Sequence, residues 1–408
     1  MPEVKYLVQV TSDNHNKFYK MIPQGNNLHV EYGRIGAEKF QTKDYPIGRF
    51  DSILREKLNK GYKDQTHLIQ EAITIEETKK SEYKPIPDSV VKQIVERLQQ
   101  MAKSTIDANY RVSSNVVTQD MIDTAQKYLN KLSAIKSVAT FNKTLIELFE
   151  TLPRKMKKVD DYLAKSTDEF SDIITHEQAL LDVMAGQVIQ KIIEEDTDEK
   201  DETKAAKTIL EAMGLEITPI TADEEKYIKK MLGDLSGRFK NAWKVKNIKT
   251  EKAFDQFLLD NGEKEIQHLW HGSRNENWWS IINQGLVLRP TNAVISGKMF
   301  GYGLYFANKA NKSIGYTSSY GSRWAGGRSD SGFLSLYKVI YGTPFIVNKN
   351  YYSYSISFST LDYDKLQKIQ PGADSLHALK NVTGLREDEI IIYKENQATI
   401  EYLVEVSA

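Results

Sequence analysis

The apolar residues of this chain change their spacing twice, and no single repeating architecture accommodates both switches. Residues 1–45 alternate with the two-residue period of strands, in Tyr6-Leu7-Val8-Gln9-Val10, Phe18-Tyr19-Lys20-Met21-Ile22 and Leu28-His29-Val30-Glu31-Tyr32. Turn-forming Asp13-Asn14 and Gly25-Asn26-Asn27 separate these runs. A helix opening at Pro46 then carries Phe50, Ile53, Leu54 and Leu58 and stops at Gly61. From Asp88 the period is helical, with Val90, Val91, Ile94, Val95, Leu98 and Met101 on one stripe. Further helices carry Met121, Ile122, Ala125, Leu129 and Leu132, then Leu145, Ile146, Leu148 and Phe149, then the apolar positions of 176–193. Thr221-Ala222-Asp223-Glu224 has the spacing of a capping box and starts one more. From Trp243 the strand period returns, at 243–246, 266–270, 333–341, 389–393 and 399–406, interrupted by short helices at 275–283 and 308–315. The expected fold class is therefore multidomain α+β: a small sheet with one helix at 1–65, a polar linker at 66–84, an α-helical bundle at 85–194, and a mixed, mainly β domain at 205–408.

Composition narrows the function classes without choosing one. Acidic and basic side chains balance at 55 each, so bulk charge alone points to no nucleic-acid or membrane partner. A basic surplus of about three over residues 1–64 and an acidic surplus of about four over 191–204 are local biases. The chain has no cysteine, which removes disulfides, thiol nucleophiles and cysteine zinc sites. No apolar run approaches the roughly 18 residues of a membrane span, and the first residues carry no secretion signal.

Gly301-Tyr302-Gly303 invites a dinucleotide-fold reading, but position 306 is Phe where a third glycine belongs, and 304–306 reads as strand where a helix should open. The stronger pattern is three separated blocks. His271-Gly272-Ser273-Arg274 follows the apolar strand end Leu269-Trp270. Met299-Phe300-Gly301-Tyr302-Gly303-Leu304-Tyr305-Phe306-Ala307 precedes Lys312-Ser313 and Tyr316, and Glu389 heads the apolar run Ile390-Ile391-Ile392-Tyr393. Singly, each has an ordinary structural reading: a hydrogen-bonded histidine at a strand end, a core tyrosine, a solvent-facing glutamate.

Together, in this order and spacing, the blocks resemble the catalytic domain of the poly(ADP-ribose) polymerases, with its His-Tyr-Glu signature, over residues 205–408. The resemblance implies an NAD⁺ ADP-ribosyltransferase in which His271, Tyr305 and Glu389 are catalytic. The residue types suit that chemistry. Cleaving nicotinamide from ribose builds positive charge on the ribose carbon, which calls for a nearby carboxylate. Gly272 can offer its main chain to the carboxamide without a side chain in the way, and the Ser313 hydroxyl can join it. Tyr305 and Tyr316 can sandwich the flat ring. By resemblance, His271, Ser273 and Asn277 would line the adenosine-ribose side. Lys312 would be the active-site lysine, residues 287–300 the loop flanking the donor pocket, and Met299 with Glu389 the acceptor side. Two departures stand out: Glu387 where a Tyr is expected two residues before the catalytic carboxylate, and Val287 where an Arg is expected, with Arg289 as a substitute.

Tyr32-Gly33-Arg34-Ile35-Gly36, with Phe40 and the helix at 47–58, resembles the WGR domain, Tyr replacing the signature Trp. That likeness implies DNA-end sensing, with Tyr32 stacking on a terminal nucleotide and Arg34, Lys39 and Lys43 meeting phosphates. The bundle takes the place of the family's helical regulatory domain. The expected partners are NAD⁺ as substrate, DNA nicks or strand breaks, and acceptor proteins including the chain itself. An accessory factor at the active site is a further option, and neither a metal nor a membrane is expected. The expected compartment is the nucleus in a eukaryotic host and the cytoplasm in a bacterial one. Competing readings are a mono-ADP-ribosyltransferase with the same triad, an NAD⁺ glycohydrolase, and a catalytically dead DNA-end-binding scaffold.

Overall fold

A computed structural model describes residues 2–37, 39–66, 83–112, 114–200, 207–288, 299–318, 329–349, 353–354, 356–381 and 383–408, with 115 and 192–200 as backbone only. It is a mixed α/β protein with three sheets among the described residues. Contacts divide it into two compact units, one built on 1–81 and 103–191, the other on 82–102, 192–291 and 297–408.

The first unit opens with an antiparallel sheet of β1 (Lys5–Val10), β2 (Asn16–Gln24), β3 (Asn27–Arg34), β4 (Gln41–Pro46) and, after the helix α1 (Phe50–Asn59), β5 (Lys63–Asp64), in the order β4-β3-β2-β1-β5. Leu7, Tyr19, Met21, Leu28 and Val30 face Phe50 and Ile53 of α1, burying one side of the sheet under one helix face. The sequence pattern misses β4 and β5. Gln41–Pro46 is an edge strand of exposed side chains, held by its backbone ladder to β3, so it leaves no apolar alternation to read.

Helix α2 (Ser89–Asn109) belongs by its first two thirds, through Ala102, to the second unit and by its remainder to the first. Its expected stripe is buried at Val91, Ile94, Val95 and Leu98, whereas Val90 is exposed. The bundle continues with α3 (Gln119–Leu132), capped by the Thr118 hydroxyl, α4 (Val138–Thr151) and the long α5 (Phe170–Lys200). All five apolar positions read for α3 are buried. Within this unit Arg154, almost wholly buried, bonds Glu177 and lies over the rings of Tyr110 and Phe149.

In the second unit a short helix α6 (Ile209–Ala212) leads to β6 (Leu215–Pro219), then α7 (Ala222–Leu232) and β7 (Phe239–Asn247). The capping box forms as read: Thr221 Oγ accepts from the Glu224 N–H at 3.2 Å, and Glu224 accepts from the Thr221 N–H at 2.8 Å. Then come α8 (Ile248–Asn261), β8 (Ile266–Gly272), α9 (Trp278–Gln284), β9 (Leu304–Phe306), α10 (Ala310–Ser313), β10 (Ser331–Ile340) and β11 (Pro344–Val347). The chain ends through α11 (Tyr363–Ile369), β12 (Ser375–Ala378), β13 (Glu389–Ile392) and β14 (Ala398–Ser407). One sheet runs β6-β7-β14-β10-β8, the other β11-β12-β13-β9, antiparallel except for the β11–β12 pair. Trp270 of β8 and Ala307 just after β9 exchange main-chain hydrogen bonds at 2.8 and 2.9 Å, joining the two sheets. Arg97 of α2 bonds Glu405 of β14 and the Ser331 hydroxyl of β10, both at 2.9 Å, which ties that part of the helix to this unit.

The expectation that only short helices interrupt these strands is corrected by α8, fourteen residues long. Asn247 caps it by accepting from the Lys249 and Thr250 N–H groups, and Phe254 and Phe257 bury against Ile340. That cap and the phenylalanine spacing were the available signals.

Candidate active site

Three strands of the second unit bring the three sequence blocks together. β13 pairs with β9 so that Ile391 lies opposite Tyr305, and the bridge at Trp270 and Ala307 sets His271 beside β9. His271 Nδ1–H donates to the Tyr305 carbonyl at 3.0 Å, which leaves Nε2 as the acceptor of a neutral ring. Burial pushes the His271 pKa below its ordinary value, opposed by that carbonyl. Phe306, Tyr337 and Trp278 surround the ring at centroid distances of 5.8, 6.1 and 6.3 Å. An imidazole held neutral and hydrogen-bonded on one side suits the reception of a ribose hydroxyl on the other.

The Tyr305 phenol is fixed at both ends of its hydrogen-bonding capacity. It donates to the Gly301 carbonyl at 2.9 Å and accepts from the Phe300 N–H at 3.0 Å, and its pKa is raised by burial, with the Glu389 charge adding to the shift. These main-chain partners were missed by the sequence reading, which gave Tyr305 a catalytic and ring-stacking role beside ordinary core packing. Gly301 has φ +76°, where an added Cβ would lie 2.1 Å from the Leu361 carbonyl oxygen, so the turn that presents its carbonyl demands glycine. Tyr305→Phe is expected to cost about 1–3 kcal/mol of stability by orphaning two buried main-chain groups. A urea titration checks this, and an unchanged midpoint would mean that the hydroxyl contributes nothing.

Gly272 is required for a reason other than ligand access. A Cβ there would lie 2.0 Å from the Ser313 carbonyl oxygen, so the end of β8 and the end of α10 touch main chain to main chain. The Ser313 hydroxyl donates to the Trp270 carbonyl at 3.2 Å, binding the same two segments. Ser273 Oγ accepts from Asn277 Nδ2 at 3.0 Å, while Asn277 Oδ1 is buried with no partner among the described residues. Tyr316 is 54% exposed; partial burial and Glu389 raise its hydroxyl pKa against the opposing Lys312 ammonium.

Glu389 opens β13 and is buried. Lys312 Nζ meets Oε1 at 2.8 Å, and Oε2 has no hydrogen-bond partner among the described residues. A buried, half-satisfied carboxylate is costly unless something else takes the second oxygen, and a ribose hydroxyl or a developing cation would do so. Met299 packs partly buried on the Phe300, Phe358 and Leu361 cluster. Of the expected donor-pocket loop, 289–298 lie outside the described residues, Arg289 among them. Among the described residues no group of three His, Asp or Glu side chains could hold a metal, and no helix is long and apolar enough to cross a membrane.

Residues 222–408 match the family model of the poly(ADP-ribose) polymerase catalytic domain, and residues 4–68 that of the WGR domain. A putative poly [ADP-ribose] polymerase-like protein of Invertebrate iridescent virus 6 is 31% identical over 186 residues, 45% of this chain and 94% of that one. The chain belongs to the poly(ADP-ribose) polymerase family. It is an NAD⁺ ADP-ribosyltransferase, with NAD⁺ as the substrate of its catalytic domain. Poly [ADP-ribose] polymerase 2-B of Oryza sativa subsp. japonica is 25% identical over 341 residues, 74% of this chain and 53% of that one. Poly [ADP-ribose] polymerase 2 of Homo sapiens is 29% identical over 189 residues, 38% of this chain and 31% of that one. The chain thus spans about half or less of these two relatives.

In this polymerase-family chain the WGR-matching region carries the other residues expected at a site. Tyr32 lies partly buried, its ring tilted against Tyr19 at 5.7 Å. Lys39 and Lys43 are exposed, Lys43 over the Tyr45 ring at 5.0 Å. Arg34 is committed elsewhere in its unit: it donates to the Asn14 carbonyl at 3.0 Å, the Asn14 side chain at 2.9 Å, the Met156 carbonyl at 3.3 Å and the Lys157 carbonyl.

Proposed function

We propose that this enzyme transfers ADP-ribose from NAD⁺ to protein acceptors, itself included, extends the product to a polymer, and is stimulated by DNA nicks or breaks. The observation that carries the reading is Glu389: a buried carboxylate with one oxygen on Lys312 and the other without a hydrogen-bond partner among the described residues, on a strand paired to that of Tyr305. In the proposed reaction the bond between the nicotinamide nitrogen and the ribose carbon breaks, and its electron pair leaves with nicotinamide. Positive charge grows on the ribose, stabilised by Glu389. The acceptor oxygen then bonds to that carbon and passes its proton to the carboxylate. His271 Nε2 would accept from the adenosine ribose, Gly272 and Ser313 would hold the carboxamide, and Tyr305 and Tyr316 would flank the ring. Ser273 and Asn277 would line the adenosine side and Met299 the acceptor side.

DNA sensing is supported by the WGR-domain match and by the exposed Lys39 and Lys43 in the region it covers. A phosphate taken by Arg34 would have to displace its bonds to Asn14, Met156 and Lys157, so DNA binding and those contacts would compete. In the same reading residues 85–194 form the regulatory segment, 66–84 the linker and 205–408 the catalytic domain, and broken DNA would be met in a eukaryotic nucleus or a bacterial cytoplasm.

A second reading, transfer of a single ADP-ribose, is favoured by one observation. Glu387 bonds Lys309 at 3.3 Å and Lys380 at 3.5 Å, an ion cluster where the family resemblance leads one to expect a Tyr. One experiment separates the readings: purified protein with labelled NAD⁺, with and without 5′-phosphorylated nicked DNA. Extension predicts a labelled smear and faster nicotinamide release with DNA. A discrete labelled band means single transfer, free ADP-ribose without labelled protein means hydrolysis, and no nicotinamide under any condition means a scaffold.

A further inference from the structure

β13 ends its ladder at the residue the chemistry needs most. The last β12–β13 pair is Ala378 opposite Glu389, so the main chain on the N-terminal side of the carboxylate has no further ladder to hold it. Strand ends without cross-strand partners open easily. Glu389 also has a single side-chain anchor among the described residues, Lys312 on Oε1, so the direction of Oε2 depends on where the backbone at 388–389 sits.

The next residue outward is clasped by side chains instead. Asp388 Oδ2 lies 3.2 Å from His377 Nε2, and Oδ1 accepts from the Lys380 N–H at 2.8 Å. His377 Nδ1 lies 2.8 Å from the Tyr341 hydroxyl, whose ring meets the imidazole edge-on at 5.8 Å. Tyr341 is itself fixed, its N–H donating to the Glu265 carbonyl at 2.9 Å and its carbonyl accepting from the Ser375 hydroxyl at 2.7 Å. One proton arrangement satisfies the whole chain: Tyr341 O–H donates to Nδ1, and Nε2–H donates to the Asp388 carboxylate. Asp388 directly precedes Glu389, so holding its side chain restrains the backbone movement that would re-aim the carboxylate.

We infer that His377 is a positioning residue for Glu389, acting through Asp388 and itself oriented by Tyr341. The inference rests on the proposed role of Glu389 in ADP-ribosyl transfer. A carboxylate displaced by a fraction of an ångström stabilises the growing ribose cation less well but leaves the NAD⁺ grip of the β8 and α10 residues intact, so the loss falls on kcat.

The test is a set of variants of the full chain assayed by nicotinamide release, with thermal midpoints recorded. His377→Leu, similar in bulk but without ring nitrogens, is expected to lower kcat by about tenfold or more while KM for NAD⁺ stays within about twofold. His377→Gln, whose amide N–H reaches about as far as imidazole Nε2, is expected to recover most of that loss. In a Glu389→Gln background, His377→Leu should add nothing further, because the group it aims is gone. Should His377→Leu fail to fold, Tyr341→Phe removes one hydroxyl only and should give a smaller kcat loss that also vanishes with Glu389→Gln. An unchanged kcat, an equal loss in the Glu389→Gln background, or a Gln variant as impaired as Leu overturns the positioning role. Absence of nicotinamide release by the unsubstituted protein would instead overturn the transferase reading from which it starts.

Discussion

Glu389→Gln is expected to lower kcat by about 10²–10³-fold, with NAD⁺ affinity within about threefold of the unsubstituted enzyme. Glutamine keeps the shape and the ability to accept a hydrogen bond from ribose, so ground-state binding survives. It loses the negative charge that, in the proposed reaction, stabilises the ribose cation and the basicity that takes the acceptor's proton, both of which would matter only as the bond breaks. The same change leaves the Lys312 ammonium, now 2.8 Å from a carboxylate oxygen, against a neutral amide. Nicotinamide release gives kcat, and titration of a non-hydrolysable NAD⁺ analogue gives affinity. Full activity in this variant would remove the carboxylate from the chemistry, and a purely affinity-based loss would reassign it to binding.

Gly272→Ala is expected to be a severely damaging change in the second unit. The new methyl group would stand 2.0 Å from the Ser313 carbonyl oxygen and 2.8 Å from its carbon, and both partners are main chain that no rotamer change can move aside. Overpacking against flexible side chains typically costs 1–3 kcal/mol, so a main-chain clash at this distance should exceed about 3 kcal/mol and separate β8 from α10. Because those segments carry His271, Ser313 and Lys312, turnover should disappear together with stability. Gly315→Ala is the control: its added methyl group meets open space at a negative φ, and a change within about 1 kcal/mol is expected. Thermal melts of the two variants decide the matter. Equal midpoints would show that β8 and α10 can separate without cost.

These two residues also mark how far the sequence could be read. Gly272 and Glu389 were both found in the amino-acid sequence, because each sits in a block with several distinctive neighbours. The reason for Gly272 was not legible: it serves contact with Ser313, forty-one positions away, where the sequence suggested only room for a ligand. The half-satisfied state of Glu389 was equally hidden, since it depends on which oxygen Lys312 reaches. Helix α8 escaped because the strands on either side of it set the reading frame, although Asn247 marks its start. Strand β4 escaped because an exposed edge strand needs no apolar alternation. Arg34 has partners that its motif did not announce. Its triplet motif drew attention to phosphate, while its donors go to carbonyls at 14, 156 and 157.

By itself the sequence determined the order of a small sheet, a helical segment and a mixed sheet domain, and the three blocks that mark the family. Period-2 and period-3.6 spacing are local properties, and a motif is read in a few consecutive residues. Only the tertiary structure decided that the imidazole of 271 is hydrogen-bonded to the carbonyl of 305, that the phenol of 305 is held by a glycine turn, and that a Tyr–His–Asp chain stands behind the carboxylate of 389. Such contacts join residues far apart in sequence through strand register and close packing, and neither quantity is encoded in any one stretch of the chain.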